Sequence, residues 1–104
     1  MRNLSILALL MVAAVVDGAP SFAADVNHGR QVARRWCVSC HLVAANQRKT
    51  TTEAPPFATI ARKPGFDVNR LAAFLLEPYP RMPNMPLTRA EAADTAAYIG
   101  SLRK

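Results

Sequence analysis

Cys37-Val38-Ser39-Cys40-His41 constrains this chain more than any other stretch, because two thiols three positions apart and an adjoining imidazole leave few chemistries open. Each thiol can add across one vinyl group of a haem, and the imidazole that follows can take the iron as an axial ligand. The spacing C-x-x-C-H therefore reads as a c-type haem attachment site. Three other uses of these residues compete with it. A thioredoxin-like redox pair opens a helix after a strand, and no strand-like alternation precedes Cys37. Structural zinc closes a tetrahedron with four ligands; beyond the motif the chain holds only one more histidine, His28, and no second paired motif. A disulfide between Cys37 and Cys40 closes so short a loop that it is strained and restrains little of the unfolded chain.

The start of the chain carries an address. Met1-Arg2-Asn3 precedes a run from Leu4 to Val16 that is apolar but for Ser5, and a zone rich in small residues follows, Gly18-Ala19-Pro20-Ser21-Phe22-Ala23-Ala24. These are the three zones of a secretory signal, with Ser21 and Ala23 as the small pair for cleavage after Ala23 and a cut after Ala24 as the alternative. The run is too short to cross a bilayer comfortably, so an uncleaved anchor is the rival reading. The expectation is a signal peptide at 1–23, a single domain at 24–104, a periplasmic location, and no transmembrane segment in the mature chain. Export suits two thiols that must be handled outside the cytosol.

Of 104 residues, cleavage leaves 81, a domain small enough that its apolar core has little stability to spare and a staple is usually recruited. A covalently held macrocycle would serve, because it adds a large flat apolar surface for helices to bury. Once Arg2 and Asp17 are set aside, the domain carries 12 Lys and Arg against 6 Asp and Glu. Such a balance suits partners with acidic docking faces, or simply keeps the surface well solvated. The cations Arg34, Arg35, Arg48, Lys49, Arg62, Lys63 and Arg81 are dispersed, and no motif or aromatic stacking box accompanies them, so nucleic acid is not an expected partner.

Local signals predict helices joined by proline-rich segments. Asp25 caps a helix over Val26–Trp36 on which Gly29, Ala33 and Trp36 share a face; two of the three are small, which predicts close approach by another helix. Residues 42 to 54 show no period and read as a surface loop, ended by Pro55-Pro56-Phe57. A short helix over Phe57–Lys63 stops at Pro64-Gly65. Asp67 caps a further helix with an apolar stripe of Leu71, Phe74 and Leu75, ended before Pro78. Four prolines among residues 78 to 86 exclude helix and strand. Thr88-Arg89-Ala90-Glu91 is a capping box that opens a last helix to about Leu102, with Ala92, Ala96, Ile99 and Leu102 facing inward.

Taken in order, this helix, the C-x-x-C-H motif, the proline-containing loop "APPF", a middle helix, the loop "RMPNMPLT" and the closing helix "EAADTAAYI" resemble the small bacterial class I c-type cytochromes across the whole mature chain. The resemblance implies an all-α, cytochrome c-like fold of three to four helices around one haem c. In it, Cys37 and Cys40 make the thioether bonds and His41 takes the iron. Pro55 supplies the carbonyl that receives the proton on the other ring nitrogen, which fixes the tautomer and orientation of the imidazole. Gly29 and Tyr98 fall where the family crosses its first and last helices. The chain departs from the family in carrying Ala33 where an aromatic often sits, and Trp36 stands in for the lost bulk.

Two methionines compete for the sixth iron position. In the resembling family the ligand precedes a proline and lies about five residues before the Leu-Thr pair that opens the last helix, which selects Met82 over Met85. His28, more than two turns before the motif, is expected at the surface or in a cap. Tyr79 and Arg81 bond a haem propionate or face solvent. The function implied is electron transfer by an Fe(III)/Fe(II) couple with no substrate transformed. The expected state is a monomer, or a haem-bearing electron-entry subunit of a larger periplasmic oxidoreductase. An open-site haem protein that binds a gas or reduces peroxide is the third reading, and it requires Met82 to be off the iron.

Overall fold

Asp25 starts the first helix by a local exchange of hydrogen bonds: its extended backbone breaks the helical run while its carboxylate accepts the His28 N–H at 3.0 Å. The computed structural model describes residues 23–48, 50, 54–77 and 79–104. Within them the chain forms α1 (Val26–Trp36), α2 (Phe57–Ala61), α3 (Val68–Leu75) and α4 (Arg89–Ser101), with no strand among the described residues. The fold is all-α, as expected. The signal peptide expected at 1–23 lies outside the described residues except for Ala23, and Pro78 lies outside them too.

α4 is the hub, since α1, α2 and α3 all pack on it. Its start is the capping box read from sequence: the Thr88 hydroxyl accepts from the Glu91 N–H and the Glu91 carboxylate accepts from the Thr88 N–H, each at 3.0 Å. Ala92, Ala96 and Ile99 are buried and Leu102 is half-buried against the core, as expected. Thr95 and Tyr98 are buried as well, because a helix flanked by three others buries more than one stripe. Thr95 meets its hydroxyl's needs within the helix, donating to the Glu91 carbonyl at 2.8 Å.

The crossing of α1 on α4 depends on small residues. A Cβ at Gly29 would overlap the carbonyl group of Asp94, so only glycine lets the two backbones come this close. Ala33 on α1 and Ala92 and Ala96 on α4 are likewise wholly buried. Ala33 thus belongs to a close backbone approach, and Trp36, one turn on, packs partly buried against the core.

α2 is shorter than expected, ending at Ala61 rather than Lys63. Arg62 is its C-cap, and the Lys63 N–H bonds back three residues to Ile60 at 3.2 Å, tightening the final turn before the proline. Gly65 then turns the chain with φ +79°, a left-handed conformation that disfavours other residues. Asp67 caps α3 by accepting the Arg70 N–H at 2.9 Å. Though α3 packs on α4, none of its residues is fully buried. Its stripe of Leu71, Phe74 and Leu75 faces a cleft instead.

Candidate functional site

The cleft begins where α1 ends. Cys37 caps the helix, donating its N–H to Ala33 at 2.8 Å, and its carbonyl accepts from the N–H groups of Cys40 and His41 at 3.2 and 2.9 Å. This tight turn brings both thiols and the imidazole to one wall. Downstream, the Phe57 N–H donates to Leu42 at 2.9 Å and closes the loop between them, which sets Pro55 beside His41. The Pro55 carbonyl lies 2.7 Å from His41 Nδ1. A carbonyl oxygen only accepts, so Nδ1 carries the proton and the lone pair of the neutral ring is on Nε2. The Phe57 ring, 5.2 Å from the imidazole, packs at its side.

His41, Cys40 and Met82 line both of two adjoining cavities, of about 90 and 630 Å³, which also share Leu71 and Phe74. Cys37, Trp36, Phe57 and Met85 line only the smaller, inner one. Lys63 and Tyr79 line only the larger, and Arg81 borders both. From sequence, Tyr79 and Arg81 bond a haem propionate or face solvent; both line this cleft, as does Lys63, which the sequence does not single out. Its signal was its position three residues after Ile60, which lines the larger cavity too. The Tyr79 ring also packs on Phe74 at 5.2 Å. His28 is remote from the cleft: its Nδ1 pairs with Asp94 on α4 at 2.7 Å, so the surface role expected for it takes the form of a helix-to-helix bridge.

The competing uses of the cysteines fare poorly here. Burial pushes the Cys37 thiol up to about 11, with the neighbouring Cys40 adding to the rise, the opposite of the lowered values that make redox cysteines reactive. The pair follows a helix rather than a strand, and no disulfide joins Cys37 to Cys40. No group of three or more His, Cys, Asp or Glu among the described residues is arranged to hold a bare metal ion. What the walls do fit is a flat apolar group carrying iron. Two adjacent thiols able to bond its vinyl groups, an imidazole whose Nε2 lone pair is uncommitted, and a thioether are grouped against Trp36, Phe57, Leu71 and Phe74, and imidazole and thioether are ligands that suit haem iron.

An all-helical fold with that donor set defines the class of small haem-binding proteins in which the peptide itself anchors the cofactor. Comparison with known proteins carries this further: the chain is 50% identical over 94 residues to cytochrome c-552 of Bradyrhizobium diazoefficiens, covering 90% of each chain. The chain belongs to the small c-type cytochromes. It is a haem-containing electron-transfer protein, not an enzyme, with a covalently bound haem c and its iron. No protein-family profile and no solved structure matches it. No helix among the described residues is long and apolar enough to cross a membrane.

Proposed function

We propose that this chain is an exported, periplasmic electron carrier in which Cys37 and Cys40 hold the haem through thioether bonds and His41 and Met82 are the axial ligands. The observation that carries the reading is the 2.7 Å bond from His41 Nδ1 to the Pro55 carbonyl, which leaves Nε2 as the ring's donor beside both thiols and Met82. When bound, the haem supplies a one-electron Fe(III)/Fe(II) couple. The chain's own part is to hold the ligands still. Pro55 keeps the imidazole in one tautomer and orientation. Phe57, Ile60, Leu71 and Phe74 keep water away from the iron's surroundings. Met82 is favoured over Met85 because it borders both cavities together with His41, whereas Met85 borders the inner one alone.

Lys63, Arg81 and the excess of basic residues favour partners with acidic docking faces, recognised through short-lived and salt-sensitive complexes. A permanent place in a larger periplasmic oxidoreductase is the second reading. It draws on Val68 and Leu76, large apolar side chains that are 37% and 43% exposed and do not line the cleft. Two side chains make too small a patch for an obligate interface, so the carrier reading stands first.

Optical spectra and the intact mass of the protein, made in a host that matures c-type cytochromes, test the assignment. The expected product is red, has the mass of polypeptide plus one haem, and shows a sulfur-to-iron band in the ferric state. Met82→Ala loses that band and Met85→Ala keeps it. A colourless product at the bare polypeptide mass overturns the attachment, and the reverse result with the methionines overturns the choice between them.

A further inference from the structure

The loop that follows the C-x-x-C-H motif is held by a side chain that neither the motif nor the family comparison assigns. Gln47 folds back over it through a turn closed by its own N–H donating to Ala44 at 3.2 Å. Its amide then makes three hydrogen bonds. Oε1 accepts the Val43 N–H at 2.8 Å, and Nε2 donates to the His41 carbonyl at 2.9 Å and the Val38 carbonyl at 3.1 Å. The assignment of nitrogen and oxygen is forced, since the flipped amide would set an oxygen against two carbonyls and a nitrogen against an N–H. Both donors of the amide are therefore used, and both on the segment that holds the cofactor.

Three neighbouring carbonyls of this segment are already committed. The Cys37 carbonyl takes two turn N–H groups, the Leu42 carbonyl takes the Phe57 N–H, and the Val43 carbonyl takes the buried Tyr98 hydroxyl at 2.6 Å. Gln47 supplies what the turn lacks: donors for the carbonyls of Val38, inside the motif, and of His41 itself. His41 is thus held at two points, its ring by Pro55 and its backbone by Gln47.

We propose that Gln47 is a positioning residue for His41, clamping the backbone of the haem-attachment turn so that the imidazole is presented to the iron in a single orientation. The inference rests on His41 being an iron ligand. A merely structural loop residue would change stability alone; a positioning residue also changes the electronic environment of the iron in the folded protein, because ligand orientation is set by what holds the ligand.

Two variants and one measurement on the unmodified protein test it, all on the haem-loaded form. Gln47→Glu keeps an acceptor for Val43 but has no donor for Val38 and His41, and Gln47→Met removes all three bonds at similar size. The expected result is that both variants, while folded, move the paramagnetically shifted proton signals of His41 and alter the midpoint potential. Val43 amide exchange is expected to rise at least about tenfold in Gln47→Met, as follows from losing a bond of about 1.4 kcal/mol or more, and less in Gln47→Glu. Unshifted His41 signals and an unchanged potential in either folded variant overturn the inference. In the unmodified protein the Gln47 side-chain amide protons are expected to exchange slowly with solvent. Fast exchange overturns the inference even if neither variant can be made. Absence of covalent haem from the unmodified protein is a different outcome, since it removes the reading on which this one rests, and the inference falls with it.

Discussion

On the imidazole side of the cleft, side chains bond the backbone of residues 38–43: Tyr98 and Gln47 take both polar groups of Val43, Gln47 also bonds the Val38 and His41 carbonyls, and the Pro55 carbonyl meets the His41 ring. On the methionine side, residues 79–87 form two local backbone bonds, Met82 to Tyr79 at 3.0 Å and Leu87 to Met85 at 2.8 Å. No side chain donates to or accepts from that backbone among the described residues. Pro80, Pro83 and Pro86 act there instead, narrowing the conformations open to the chain before it folds. The imidazole side is thus held by contacts in the folded state and the methionine side largely by restriction of the unfolded state. The difference teaches where a substitution should hurt: single side chains matter on the imidazole side, and proline content matters on the other.

The strongest challenge to this contrast is Gly29→Ala, which disturbs the α1–α4 crossing from which the imidazole-side loop is hung. Its Cβ would meet backbone rather than a movable side chain. Destabilisation of about 3 kcal/mol or more is expected in urea unfolding, at the upper end for overpacking. A loss below about 1 kcal/mol would mean that the helices can separate without harm. Tyr98→Phe comes next. It strands the buried Val43 carbonyl and is expected to cost about 1–3 kcal/mol, whereas Tyr79→Phe, on the exposed methionine side, should cost under about 0.5 kcal/mol. Equal losses would erase the contrast between the sides. Pro83→Ala should cost about 0.4–1 kcal/mol through greater freedom of the unfolded loop, and kinetic analysis should find part of that loss outside native contacts.

The smallest effect depends on pH. The hydrogen bond to Asp94 raises the His28 pKa above its ordinary value of 6.5, and the charges of Asp94, Asp25 and Glu91 add to the rise while partial desolvation opposes it. Because the folded value is the higher one, the stabilisation is complete below about pH 6.5 and is lost as pH climbs through the folded pKa. The thermal-midpoint gap between the protein and His28→Gln should therefore be wider at about pH 5.5 than at about pH 9. An equal gap at both would show that charge plays no part in this bridge between α1 and α4.

Much of the fold was legible because its signals are local. The caps at Asp25, Asp67 and Thr88, and the stop at Pro64-Gly65, each act within a few residues, and their helices begin where those residues require. The end of α2 was misjudged by two residues because the closing turn tightened ahead of the proline. At the site, the C-x-x-C-H motif declares itself, and the meeting of Pro55 with His41 was expected from family likeness. Gln47 was not legible: a polar residue in an aperiodic loop looks like any solvated one until the chain folds back and gives its amide three partners. The partnership of His28 with Asp94, 66 residues away, was hidden for the same reason.

By itself the sequence determined the helices, their caps, the breaks between them and the chemistry of the cofactor motif, since each depends on propensities and spacings contained in a few consecutive residues. Only the tertiary structure decided which face of α4 meets three neighbours, which polar side chains close over the attachment turn, and that Met82 and His41 border a common cavity. Several of those contacts join residues far apart in the chain, such as Tyr98 with Val43, 55 positions away, and the pairing of α1 with α4 is set by how closely the two helices approach at Gly29.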